Sequence, residues 1–448
     1  MKNYLMSLGI LSAAFLIHGC KKDTSFTAPV VTGEEPMIIY KAPDTANPQP
    51  GHYFVSFKES FKMPFAKVYN GSKTVRFAKT AQADAYNLQA KADMRAQLTN
   101  ADGSMIVSMN NIDAFVSNVV VGFSAQLSAD AVKKLVANPN VKYVEFQHQE
   151  KTDADATETK LVNKTFSPLS QTVDPLRQAI GFKDGVARSV NYNIWIIDGG
   201  CDMDHPDLNA YPPLSKSFSD DPTPEDRVGH GTKVAGVLAA KDNGYGTRGV
   251  AAGAFINAIK ITNTNKLSST SNFIKALDYV WVNSISSDVV NMSQSFSTKS
   301  TGVASMEEAI RSFSGYDIWF ALAAGNNKGF ASQRSPARMG SPEYPYAENL
   351  GFIHTVSSHG AAYKFSASFS GGGGSNYGVA IDCASAGENI YTTTMGGGYT
   401  TDYVIHGTSF SAPIVAGILF MNNGVYYKKA TITGDVDKYH EKVAFLNF

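Results

Sequence analysis

The chain has 448 residues, with 39 Lys and Arg against 39 Asp and Glu, so its formal net charge is zero. That balance argues against a nucleic-acid partner, which needs a basic excess. Hydrophobic residues at 43% and 38 glycines exclude a disordered chain and point to a sizeable core with many tight turns, while three cysteines are too few for a disulfide scaffold. At about 150 residues per domain the length allows roughly three domains, or one large α/β domain with a small one.

The first segment reads as an address. Lys2 gives a short basic start, and residues 4–17 form an apolar run. The run is too short for a comfortable membrane span and suits the core of a signal peptide. It ends in Ile17-His18-Gly19-Cys20. A small residue before a cysteine, just after such a run, resembles the lipobox of bacterial lipoproteins, with His18 an unusual member. The resemblance implies a signal over residues 1–20 and acylation of Cys20. It also implies a lipid-anchored protein of the bacterial cell envelope, outside the cytoplasm. An ordinary signal peptide with an incidental cysteine is the alternative. Residues 21–50 carry Pro29, Pro36, Pro43, Pro48 and Pro50 with little apolar periodicity, and read as an extended tether.

Residues 51–150 suggest a small α+β unit. Tyr53, Val55 and Phe57 alternate as a strand, and residues 81–98 are rich in helix formers. Residues 114–123 read as one β-branched strand. Ser128 reads as an N-cap for a helix with Ala131, Val132, Leu135 and Val136 on one face, stopped at Asn138-Pro139-Asn140. Residues 141–146 return as a strand, so the unit is expected to be ferredoxin-like. Residues 122–147, and 135–145 above all, resemble the inhibitory propeptide of subtilisin-like proteases, an unrelated α+β domain being the alternative. The resemblance implies a partner that templates a slow-folding parallel sheet and blocks its cleft. Residues 151–174 are mostly polar and would hold an autoprocessing site.

Residues 175–448 change character. Ile194-Trp195-Ile196-Ile197 is a continuous apolar run, as expected of a strand covered on both faces, and Asp198 closes it. Further apolar runs at 254–261, 289–290, 318–324 and 351–357 alternate with helical patterns at 232–241 and 271–282. Ser305 and Glu308 read as a capping box for another helix to Phe313. The expected fold is α/β, a mostly parallel sheet with helices on both faces, chemistry sitting at the carboxyl ends of its strands.

Three segments carry the chemistry: Asp198-Gly199-Gly200, Gly229-His230-Gly231-Thr232 and Gly407-Thr408-Ser409-Phe410-Ser411-Ala412-Pro413, with Ala323-Ala324-Gly325-Asn326 between the last two. A serine hydroxyl is a poor nucleophile until a base takes its proton, and a histidine does so best when a carboxylate holds its tautomer. In this order the segments resemble the subtilisin-like serine proteases, over about residues 193–417 and the preceding unit. The resemblance implies a subtilisin-like fold and an autoprocessed serine endopeptidase acting on protein or peptide substrates, with its own propeptide as inhibitor. It implies Ser409 as nucleophile, His230 as base, Asp198 as its orienter and Asn326 as oxyanion donor. Ser293-Gln294-Ser295 and Ala323-Ala324-Gly325 would line the substrate pocket. A catalytically silent surface protein that merely holds peptides is the alternative.

Several positions depart from the family pattern. Gly199 replaces a Ser or Thr, Lys233 a His, and His406 an Asn or Ser, while Ser295 and Phe296 stand where two glycines are usual. Side chains there narrow the pocket, so a small or medium residue is expected before the cleaved bond. No cofactor is required. Asp207 and Asn243, with the loop 241–247, resemble a structural calcium site of some family members, a plain turn being the alternative. Cys201 and Cys383 either pair or remain buried thiols. Gly371–Gly374 reads as a solvated turn.

Overall fold

The computed structural model describes residues 48–58, 81–151, 158–160, 167–181, 192–298, 302–369, 372–401 and 403–446. Cys20, the signal, the tether up to residue 47 and half of the linker, residues 152–157 and 161–166, lie outside them. Among the described residues no helix is long and apolar enough to cross a membrane.

The larger unit is built on a ten-stranded sheet. Its central order is Cys383–Ala386, Ile353–His359, Trp319–Ala323, Val289–Met292, Ile194–Asp198 and Phe255–Lys260, all parallel. Among the described strands of this sheet, only Tyr427–Thr431, at the far edge, runs antiparallel to its neighbour Lys442–Phe445. The strand residues explain the unbroken apolar runs. Ile194, Ile196, Val289, Ala321 and Ala323 pack on one face with the helices His230–Ala239 and Thr408–Met421. Their neighbours Trp195, Ile197, Val290, Phe320 and Leu322 pack on the other, with Thr270–Asn283 and Ala304–Arg311. With period-two alternation and both faces covered, both sets of alternating positions are mostly apolar, Asn291 being a buried exception. From Ile194–Asp198 the chain adds Phe255–Lys260 on one side and then Val289–Met292 on the other. The order therefore reverses beside Asp198, where such folds open a crevice.

The amino-terminal unit is an antiparallel sheet in the order Val141–Lys151, Pro48–Phe57, Gly122–Gln126, Ile112–Val116, with helices Ala81–Ala96 and Ala129–Val136. Ser128 caps the second helix, its hydroxyl accepting from Ala131 N at 3.2 Å. Three expectations are corrected here. Residues 114–123 form two strands rather than one. The turn at 117–121 docks on the larger unit, where Asp278 Oδ1 accepts from Asn118 N at 2.8 Å and Val119 N at 3.1 Å. Val119 and Val120 are buried in the larger unit's core with Phe273 and Leu277, so their β-branched character serves docking. The first strand begins at Pro48, inside the stretch read as tether. The last runs to Lys151, past the end expected at residue 146 and into the stretch read as linker, because it has found a partner: Gln149, Glu150 and Lys151 oppose Ser269, Ser268 and Leu267 of the larger unit.

The capping box at Ser305 is also replaced. Helix Ala304–Arg311 has no side-chain cap of its own. Glu145 of the amino-terminal unit accepts from Ala304 N at 2.7 Å and Ser305 N at 3.1 Å, doing what an N-cap does. Glu308 instead accepts from Tyr143 Oη at 2.9 Å and Lys142 Nζ at 3.3 Å.

Candidate active site

Asp198 ends its strand fully buried, and its Oδ1 accepts from Gly199 N at 2.6 Å and His230 Nδ1 at 2.8 Å. Gly199 offers no hydroxyl, and Asp198 Oδ2 has no protein partner among the described residues. His230 opens the helix His230–Ala239, two residues earlier than the pattern suggested. The helix approaches the Asp198 loop so closely that a Cβ on Gly231 would overlap Gly200 O. Asp226 fixes that approach: its Oδ1 accepts from Val228 N and Gly229 N, each at 2.8 Å, and its Oδ2 from Thr232 N at 2.9 Å. Sequence reading missed Asp226, whose one signal is an acidic residue shortly before a helix. Burial works to lower the His230 pKa, but the charge and hydrogen bond of Asp198 outweigh it and the net shift is upward.

Ser409 sits in the first turn of helix Thr408–Met421, with His230 around one recess. Its Oγ donates to Ser293 O at 3.0 Å, and Ser293 Oγ returns a bond to Ser409 O at 2.8 Å. The oxygen of the Asn326 amide is held by Thr408 N and Thr408 Oγ1, both at 2.9 Å. That turns its nitrogen the other way, to 3.2 Å from where a Cβ on Gly407 would stand. Asn376, which sequence reading did not single out, braces this loop. Its Nδ2 donates to Ala324 O at 2.9 Å, and its Oδ1 accepts from Asn327 N and Gly329 N. The glycine run is more than a solvated turn. Gly374 N donates to Asn326 O at 3.0 Å, and Gly373, at φ +73°, passes where any Cβ would strike that oxygen.

Ser293, Gln294, Ser295, Ala323 and Gly325 line the recess. Ala324 does not: it is buried in a small cluster with Ala331 and Ala380. Gln294 ties the two walls, donating to Thr262 Oγ1 at 2.9 Å and accepting from Ser268 Oγ at 2.6 Å. Lys233 lies over the Tyr403 ring at 5.6 Å, and His406 stacks on Phe369. Cys201 and Cys383 are free and buried, and burial pushes both thiols up.

Asp207 and Asn243 meet, Asn243 Nδ2 donating to Asp207 Oδ1 at 2.9 Å. Gln171 joins them, its Nε2 at 2.9 Å from Lys241 O and 3.3 Å from Thr247 O. Burial raises the Asp207 pKa. A buried carboxylate, two main-chain carbonyls and two amides that present oxygen when turned over make a hard-donor set that fits calcium. Elsewhere, Asp202, Asp204 and Glu225 bring carboxylate oxygens within 4.8 Å of one another.

The sequence model of the subtilase family (Peptidase S8) matches residues 191–423. Subtilisin E of Bacillus subtilis is 31% identical over 296 residues, 66% of this chain and 68% of its own. M-protease of Shouchella clausii is 28% identical over 295 residues, 66% and 67% of the two chains. A crystal structure of a cold adapted subtilisin-like serine proteinase covers 52% of this chain and 77% of its own, at 30% identity and a TM-score of 0.40. With the family match spanning the strand that ends in Asp198, the His230 helix and the Ser409 helix, the chain belongs to the subtilase family of serine-type endopeptidases.

Proposed function

We propose that the protein is an autoprocessed zymogen that hydrolyses peptide bonds through an acyl-enzyme on Ser409. The observation that carries this is the pairing of His230 Nδ1 with Asp198 Oδ1 at 2.8 Å, beside a serine at a helix amino terminus in the same recess. Rotation of the Ser409 hydroxyl away from Ser293 O would hand its proton to the free side of the imidazole. Asp198 stabilises the imidazolium, and His230 then protonates the leaving amine. The developing oxyanion meets the N–H groups of the Ser409 helix and the Asn326 amide nitrogen. Labelling with a fluorophosphonate, together with self-release of the amino-terminal unit, tests the reading.

The amino-terminal unit acts as the built-in inhibitor. Its last strand adds to Leu267–Ser269 and brings Glu150 and Lys151 into the recess. Three groups make its docking depend on pH, in opposite senses. Burial raises Glu145 from the usual 4.5 to about 7, so docking takes up a proton there and weakens as pH rises through that window. Asp278, also raised by burial, adds to this side. Burial lowers His148 from 6.5 to about 4, so docking expels a proton and weakens as pH falls through that window. Glu145→Gln is expected to speed release of the cleaved fragment on acidification, and His148→Asn to speed it as pH rises. Release rates measured from pH 4 to 8 check this, and identical profiles in both variants would contradict it.

Acylation of Cys20 and an envelope location complete the proposal, supported by the leader sequence. Calcium at Asp207, Asn243 and Gln171 is proposed as a structural ion. Saturating calcium should raise the melting temperature by roughly 5–10 °C over chelator-treated enzyme. Asn243→Ala should erase the difference, and equal melting with and without chelator would remove calcium from the account.

A further inference from the structure

A guanidinium stands at the end of the recess beside Ser409. Arg334 belongs to the two-residue strand Arg334–Ser335, which pairs with Phe296–Ser297. Its Cγ lies 3.4 Å from where a Cβ on Gly325 would be, so its stem rests on the wall next to Asn326. Its head crosses to the opposite wall, where Nε donates to Ser295 Oγ at 3.1 Å and Nη2 to Ser295 O at 2.9 Å. The side chain is only 11% exposed. The serine at 295, unusual there, supplies the hydroxyl that aims the guanidinium.

We propose that Arg334 makes this pocket selective for an acidic side chain on the substrate residue preceding the cleaved bond, an inference that rests on the protease reading. A guanidinium is a weakly hydrated cation, and burying one in a recess is costly unless a carboxylate meets it. Its carboxylate neighbour is Glu150 Oε1 at 3.5 Å, and Glu150 belongs to the amino-terminal unit. When that unit leaves, Arg334 loses this partner, its one ion pair among the described residues, and an incoming carboxylate restores it. The zymogen thus displays the ligand chemistry: a carboxylate on a short flexible stem, arriving on an extended strand. The same stem and head fill part of the recess, leaving less room for a bulky aromatic side chain.

The test uses self-processed enzyme from the full chain, with active sites counted by fluorophosphonate. Four peptides differ only in the residue before the cleaved bond: Glu, Gln, Phe or Lys. kcat/KM for Glu is expected to exceed that for Gln by about 10- to 100-fold, from a charge-assisted contact in a partly desolvated pocket, and to narrow with added salt. Arg334→Gln should bring Glu and Gln together, and Arg334→Glu should favour Lys. Labelled wild-type enzyme that cleaves Glu and Gln peptides within about twofold would overturn the acidic pocket while leaving the protease intact, a comparison that needs no variant to fold. A preference for Glu that survives in Arg334→Gln would also overturn it. Failure of the label on Ser409 would instead overturn the protease reading beneath it.

Discussion

Ser409→Ala is expected to keep its amino-terminal unit covalently attached and to lose peptide hydrolysis by about 10⁶-fold, the scale known for subtilisin, where nucleophile and base act as a unit. The reason is local. Removing Oγ takes away the only atom that can form the ester, and no neighbour replaces it: Ser293 offers its carbonyl to Ser409 and commits its own hydroxyl to Ser409 O. The helix terminus and Asn326 remain, so a residual rate of roughly 10³–10⁴ over water should persist. Stability should change by only about 1 kcal/mol, since one neutral hydrogen bond is lost. Intact mass, fluorophosphonate labelling and a melting curve on the same preparation separate these effects. A variant that still sheds residues before about 170 in a purified preparation would refute self-processing.

Asp198→Asn should lower kcat by an amount on the order of 10⁴-fold, the scale known for subtilisin when it loses this carboxylate, and it should also move the pH profile. Gly199 N and His230 Nδ1 both donate to Oδ1, so an asparagine can keep its oxygen there and preserve the tautomer. What disappears is the negative charge. Burial alone pulls the imidazole down, and the charge and hydrogen bond of Asp198 together lift it above 6.5. Activity needs neutral His230, so it rises with pH through that elevated pKa. Without the carboxylate the acidic limb should shift to lower pH even as the plateau falls. A limb that stays in place would show that Asp198 does not set the basicity of His230.

Much of this site was readable because its determinants are local. Asp198 announces itself as a charge at the end of four apolar residues, His230 and Ser409 as side chains at glycine-flanked helix starts. The parts that were not readable rest on contacts far apart in the chain. Residues 117–121 look like strand because nothing nearby says that Asp278, 160 residues on, takes the backbone of Asn118. Ser305 looks self-capped because Glu145, 160 residues earlier, carries no sign of its target. Arg334 sits between a glutamine and a serine, a context without helical or strand periodicity, and becomes meaningful only once folding sets it against Ser295. Ala324 was taken into the pocket with its neighbours, although along a strand and its exit alternate residues face opposite ways, and it packs instead with Ala331 and Ala380.

The pairing of Val141–Lys151 with Leu267–Ser269 has a consequence for solubility. While joined, the two units form one five-stranded sheet, and the rim of the larger unit is satisfied. Cleavage and departure of the smaller unit uncover a row of N–H and C=O groups able to recruit any extended chain, including another copy in the course of unfolding. That rim is only three residues long and carries Ser268 and Ser269. Its brevity limits how strongly it can nucleate a cross-strand aggregate, yet it leaves room for a short peptide to dock and be released.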